Sequence, residues 1–214
     1  MHTRYDCELI DKEADLDIVV KNLMDHQEIA VDAEGVNLGR NGELTILSVR
    51  PTGPTAPFDQ KAFVIDVKVL GGEVVFPRNS HTTCLRRILE SERYTKVMFD
   101  CRKDSDALQH QFGVNLVNVV DVQAYDQAVR VHCGESLDYE TVSNRQGMQR
   151  VLRRHLPTSH RLNKKHIDHT VWDKRPLSKK STLYAGYDVH IIHEILRRLK
   201  DHRDLPKFLH KAIA

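Results

Sequence analysis

The sequence lacks any apolar run near the ~20 residues a helix needs to cross a bilayer. Its first residues, "MHTRYDCELIDKEADLD", lack the apolar stretch of a secretory signal. Cysteine is sparse: Cys7, Cys84, Cys101 and Cys133 stand far apart with no CxxC pair. That argues against a zinc ribbon or a disulfide framework and for a reducing compartment. These absences give the expectation of an intracellular protein, in cytoplasm or nucleus, neither secreted nor membrane-bound. Internal repeats and low-complexity tracts are also missing. Net charge is only +2, so overall charge says nothing for or against nucleic acid.

What is present is charge asymmetry. From Arg145 to Lys180 there are eleven Lys/Arg against two Asp/Glu, a net +9 that leaves −7 elsewhere. A basic track beside an acidic site fits this pattern, and so does a solvated basic helix. Hydrophobics at 40% and charged residues at 29% are ordinary for a globular chain. At 214 residues the expectation is a single domain over 1–214, with its core at about 29–199.

Apolar periodicity lays out the elements. "YDCELI" reads as an edge strand. "KEADLDIVVKNLMDH" reads as a helix with Leu16, Val19, Val20 and Leu23 inward. "EIAVDAEG", "ELTILSVR", "AFVIDV" and "TKVMFD" read as strands, and "TGPTAPFDQ" as a loop. "TTCLRRILES" is helical. "DSDALQHQFG" is a helix closing at Gly113. "NVVDVQAYDQAVRVH" starts as strand and becomes helix. "YETVSNRQGMQRVLRRHL", "SKKSTLYAGYDVHIIHEILRRLKDH" and "PKFLHKAIA" read as helices. This order predicts an α/β fold with a mixed β-sheet flanked by α-helices, the strand "IAVD" central and its acids at the carboxyl end.

Those acids are the main chemical signal. In "IAVDAEGVNLG", Asp32 and Glu34 are two apart, so a strand puts them on one face, where they repel. "KVMFDCRKDSDAL" places Asp100, Asp104 and Asp106 at a strand-to-helix junction. "LYAGYDVHII" sets Asp188 mid-helix, four residues after Tyr184 and on the same side. Each acid alone has an ordinary reading: Asp104 as a helix cap, Asp188 paired with an arginine, Glu34 in a solvated loop. Together they suit two-metal phosphodiester hydrolysis, in which carboxylates hold two ions about 4 Å apart. Hard oxygen ligands select Mg²⁺ or Mn²⁺, and a tyrosine hydroxyl can orient the attacking water.

"VDAEG", "KDSDAL" and "YAGYD" together resemble the three motifs of the DEDD superfamily of 3′–5′ exonucleases, in its ribonuclease D-like branch. The Tyr-x-x-x-Asp form corresponds to the DEDDy subgroup, and "WDKRPLS" resembles a W-x-x-R-P-L segment common in that branch. The stretches around the first two motifs look closest to egalitarian-like and exonuclease-domain-containing eukaryotic proteins. The resemblance covers about Ile29 to Leu199 and implies a ribonuclease H-like fold. It implies metal ligands at Asp32, Glu34, Asp104 and Asp188, with Tyr184 as the water-orienting tyrosine. Asp104 is preferred to its rival Asp100 because the family aspartate heads a helix.

Where bacterial relatives carry an aromatic after the glutamate, this chain has Gly35, Val36, Asn37 and Leu38. The expectation is that Val36 or Leu38 wedges against the terminal base while nearby amides hold the 3′-hydroxyl. Arg175 is expected to pair with a motif carboxylate or a phosphate, and Trp172 to anchor packing. The implied activity is metal-dependent removal of nucleotides from the 3′ end of single-stranded nucleic acid, RNA rather than DNA. The alternative is an inactive RNA-binding or scaffold protein on the same fold. Its decay would remove motif residues, and all five are in place. Grip on substrate would come from the +9 segment or from a partner, which leaves room for a homodimer or another protein.

Overall fold

The computed structural model describes residues 5–52, 61–78, 84–135, 145–157 and 168–200. Six strands make one sheet: β1 (Cys7–Ile10), β2 (Glu28–Val36), β3 (Glu43–Thr52), β4 (Ala62–Asp66), β5 (Thr95–Met98) and β6 (Val119–Asp121). Their order is β1-β4-β3-β2-β5-β6. β2, β3 and β4 form an antiparallel meander; β5 and β6 run parallel to β2, and β1 runs parallel to β4. This is the ribonuclease H-like mixed sheet expected from the sequence, with "IAVD" in its centre.

The alternation of β2 explains its layers. Ile29, Val31 and Ala33 enter the core on one face, under α1 (Glu13–Met24), α4 (Leu85–Leu89) and α5 (Arg102–Ala107). Helix α1 buries Leu16, Val19, Val20 and Leu23, the four positions its periodicity marks. Ala30 enters the opposite core, formed with α6 (Val122–His132), α7 (Met148–His155) and α8 (Lys179–Lys200). Asp32 and Glu34 share Ala30's parity and therefore this second face.

Helix α8 crosses that face, packing on β1, β2, β3, β4 and β5. It comes close because "YAGYD" has small residues at the contact. A Cβ on Gly186 would lie 2.5 Å from Cys7 Cβ.

Two one-turn helices, α2 (Val67–Leu70) and α3 (Gly72–Val75), escape sequence reading. "VIDVKVL" is rich in strand-forming residues, but Asp66 accepts the Val69 N–H at 3.0 Å and ends the strand as a helix cap. In "TTCLRRILES" the described helix is the five residues of α4, and Thr82 and Thr83 lie outside the described residues. In "YETVSNRQGMQRVLRRHL" the described helix is α7 alone, entered through the extended Gly147. The last expected helix, "PKFLHKAIA", and all of "TGPTAPFDQ" after Thr52 lie outside the described residues. Among the described residues, no helix is long and apolar enough to cross a membrane.

Candidate active site

Asp32, Glu34 and Asp188 meet at the carboxyl end of β2. Each offers a carboxylate oxygen, and these atoms lie within 4.8 Å of one another. Two local features aim them. Opposite Glu34 and Gly35, the β3 partners skip from Ile46 to Leu44, so Thr45 is the extra residue of a bulge. Bulges redirect neighbouring side chains. Thr45 Oγ1 donates to Glu34 O at 3.4 Å. Gly35 is needed there because a Cβ would lie 2.0 Å from Glu43 O.

The second feature is the i, i+4 spacing on α8, which sets Tyr184 and Asp188 on one side of the helix. Burial, then the charges of Asp188, Glu34 and Asp32, push the Tyr184 phenol above its ordinary range. Tyr184 is therefore a neutral hydroxyl beside three acids at any ordinary pH.

Asp104 is not one of the three clustered carboxylates; it meets the first motif through the backbone of β2. β2 pairs with β5 only through Ala30. Beyond that, the edge of β2 on this side is met by α5, whose Asp104 Oδ1 accepts the Ala33 N–H at 2.9 Å. Its carboxyl is pushed up to about 7, first by burial and then by Asp100 and Asp121, against the lowering effect of its amide bonds. Asp100, a neighbour of Asp104, has other partners. Its backbone is left-handed at φ 56°, its N–H is held by Asp121 at 2.9 Å, and its carboxylate pairs with Arg102 at 2.5 and 2.8 Å. The neighbouring Cys101 thiol is pushed up to about 12 by burial and adjacent acids, which favours the neutral thiol.

The "WDKRPLS" segment braces the site. Trp172, in the 3₁₀ helix His169–Asp173, is fully buried and packs with Ile46, Val64, Leu177 and Ala185. Its ring centroid is 5.9 Å from that of Tyr184. Arg175 faces inward: its guanidinium binds Asp66 at 2.6 and 2.8 Å and the carbonyls of Trp172 and Lys174 at 2.9 and 2.8 Å. Its carboxylate partner is thus Asp66, outside the three motifs, and its donors are engaged in joining this segment to β4.

The β2–β3 hairpin holds the residues after the first motif. Val36 ends β2, Asn37 is exposed with φ 50°, and Leu38 packs against the first core. The +9 segment divides. Arg154 and His155 bind the fully buried Asp126 at 3.2 and 2.8 Å, as Arg130 does at 2.9 Å, fastening α7 to α6. Arg150 and Arg153 are exposed, and residues 158–167 lie outside the described residues. Sequence reading assigned no role to Gln111 or Lys68. Gln111 bonds the hairpin backbone, and Lys68 pairs with Glu43 and Asp173. No periodicity or motif marks either residue.

The family profile described as 3′–5′ exonuclease matches residues 7–203. The chain belongs to the 3′–5′ exonuclease family. Within this family, the chain is 36% identical over 98 residues to the mouse piRNA biogenesis protein EXD1, covering 46% of this chain and 15% of that protein. It is 24% identical over 187 residues to the silkworm (Bombyx mori) EXD1, covering 87% and 54%. The chain thus spans between about a seventh and about half the length of these relatives.

Among solved structures, the exonuclease-family chain superposes on Trypanosoma brucei RNase D in complex with RNA U12. The TM-score is 0.73 at 25% identity, over 94% of this chain and 65% of that one. The Aedes aegypti Nibbler EXO domain shares the fold with TM-score 0.69 at 19% identity, over 98% and 97%.

The donor set fits divalent metal. Three carboxylates supply hard oxygens, and an ion with bonds of about 2.1 Å spans about 4 Å between opposite ligands, the scale of the observed cluster.

Proposed function

We propose that this chain is a metal-dependent 3′–5′ exonuclease, one domain acting on the 3′ end of single-stranded nucleic acid, RNA in preference to DNA. The observation that carries the reading is the convergence of Asp32, Glu34 and Asp188 within 4.8 Å. Beside them stand Tyr184, and Asp104 on the Ala33 amide. RNA is favoured because the solved RNase D relative is bound to RNA U12 and the curated relatives are named for piRNA biogenesis.

Asp32, Glu34 and Asp188 would hold Mg²⁺ or Mn²⁺, with Asp104 supporting a second ion beside Asp32. Bound there, the cations supply positive charge that favours ionisation of water and stabilises the leaving 3′ oxygen. The protein's own groups do the rest. Tyr184 stays protonated, so its hydroxyl can orient the attacking water. Trp172 fixes the tyrosine ring. Asp104 holds the Ala33 amide and with it the spacing of Asp32 and Glu34. Exposed Arg150 and Arg153 offer charge to an incoming backbone.

The test is incubation with 5′-labelled single-stranded RNA and matched DNA in Mg²⁺ or Mn²⁺. A ladder shortening from the 3′ end is expected, faster on RNA, and abolished by EDTA and by Asp32→Ala. Failure to cleave either substrate with either metal overturns the catalytic reading in favour of an RNA-binding scaffold.

A further inference from the structure

The tip of the β2–β3 hairpin begins three residues after Glu34 and is poorly supported by its own backbone. Asn37 has φ 50° and Gly39 φ 132°. Across the tip, Gly42 N donates to Gly39 O at a long 3.3 Å. A Cβ on Gly42 would lie 2.0 Å from Asn37 O. Such a loop keeps one conformation only when its surroundings impose it.

The helix of the second motif imposes it. After α5 the chain widens into a π-helical turn, Leu108–Phe112, before Gly113 ends it in the left-handed region. π turns reorient the side chains that follow and recur at functional sites. Here the turn presents Gln111 to both arms of the hairpin. Gln111 Oε1 accepts the Leu44 N–H at 2.9 Å, beside the bulge. Gln111 Nε2 donates to Gly39 O at 2.8 Å. One partner is a donor and the other an acceptor, so a primary amide satisfies both and a carboxylate satisfies only one. Asp106, one turn earlier, accepts the Arg40 N–H at 2.6 Å.

We propose that Gln111, assisted by Asp106, latches the hairpin tip in the position where it meets the 3′-terminal nucleotide. Both are positioning residues: they act through Val36, Asn37 and Leu38 and touch no reacting atom. The proposal rests on the exonuclease reading above. It makes one helical stretch fix both halves of the site, with Asp104 holding the Ala33 amide and Gln111 holding the tip.

Gln111→Ala, Gln111→Glu and Asp106→Asn are compared with the unaltered protein on two substrates in Mn²⁺. One is 5′-labelled single-stranded RNA. The other is bis(p-nitrophenyl) phosphate, an activated diester with no nucleoside for the tip to grip. Both Gln111 variants are expected to raise KM for RNA about tenfold, the loss of one or two hydrogen bonds, with kcat and diester hydrolysis unchanged. They are also expected to narrow the preference for a 3′-hydroxyl over a 3′-phosphate end. Asp106→Asn keeps an acceptor oxygen for Arg40 N–H but loses the charge that faces Arg40 and His110, so it is expected to raise the RNA KM in the same direction as the Gln111 variants and by less. An unchanged RNA KM in Gln111→Ala and Gln111→Glu, or parallel loss on both substrates, overturns the latch while the exonuclease reading stands. Unaltered protein that cleaves neither substrate overturns the exonuclease reading and the latch with it.

Discussion

Asp104 Oδ1 accepts the N–H of Ala33 at 2.9 Å, and Ala33 is the residue between Asp32 and Glu34. An acid of "KDSDAL" is thereby tied to the backbone of "VDAEG", 71 residues away. Asparagine retains an acceptor oxygen but loses the charge. Asp104→Asn is therefore expected to fold normally and to lose metal-dependent cleavage by on the order of 10²-fold. Asp100→Asn, altering a residue paired with exposed Arg102, should stay near full activity. Cleavage of labelled RNA, with circular dichroism melts as the control, separates the two; the reverse ranking would transfer the second-motif role to Asp100.

Tyr184→Phe removes the hydroxyl and leaves the ring against Trp172. The expected effect is a fall of about 10²-fold in kcat, with Mn²⁺ affinity unchanged by electron paramagnetic resonance titration. Loss of Mn²⁺ binding together with activity would instead make Tyr184 part of the metal shell.

Gly186→Ala tests the close seating of α8. The new methyl meets Cys7 Cβ at 2.5 Å, and overpacking of this kind costs about 1–3 kcal/mol. The melting temperature should fall by several degrees. Activity should fall further than stability explains, because Asp188 lies two residues along the same helix. Gly147→Ala, where a Cβ would meet nothing within 4 Å, should be silent in both measurements.

Lys96 gives a pH signature of stability. It is fully buried on β5, with its ammonium on the carbonyls of Ile88, Ser91 and Tyr94 at 3.3, 2.8 and 2.7 Å. Burial pushes the group down to about 8 from 10.5, against the opposing charge of Glu92. Between those values the unfolded chain binds more protons than the folded one, so stability should rise with pH from 8 to 10.5. The rise is at most about 3 kcal/mol. Urea midpoints at pH 7.5 and 10 should diverge less in Lys96→Met than in the unaltered protein. Equal divergence would mean that Lys96 stays charged in the fold.

Much of the site is legible in sequence because its geometry is local. Two acids at i and i+2 on a strand share a face whatever surrounds them, and Asp32 and Glu34 do. Tyr184 and Asp188, at i and i+4 on a helix, share a side for the same reason. The four inward positions of α1 and the left-handed end at Gly113 follow equally from short-range rules. Arg175 was not legible in this way. A basic residue near motif acids suggests a phosphate or motif partner, yet it lies on Asp66, 109 residues away in sequence, because β4 happens to end beneath it.

The sequence by itself determined the chemistry available: which acids, at the ends of which elements, with which hydroxyl one turn away. Local backbone periods dictate those placements, and they do not depend on the rest of the chain. Only the tertiary structure decided which acid reaches which partner. It put Asp104 on the Ala33 amide and Asp100 on Arg102. It also inserted Thr45 as a bulge beside Glu34, widened a helix to aim Gln111, and let Gly186 bring α8 down onto the sheet. Each of these depends on two distant backbones approaching within contact distance, a relation that no local spacing encodes.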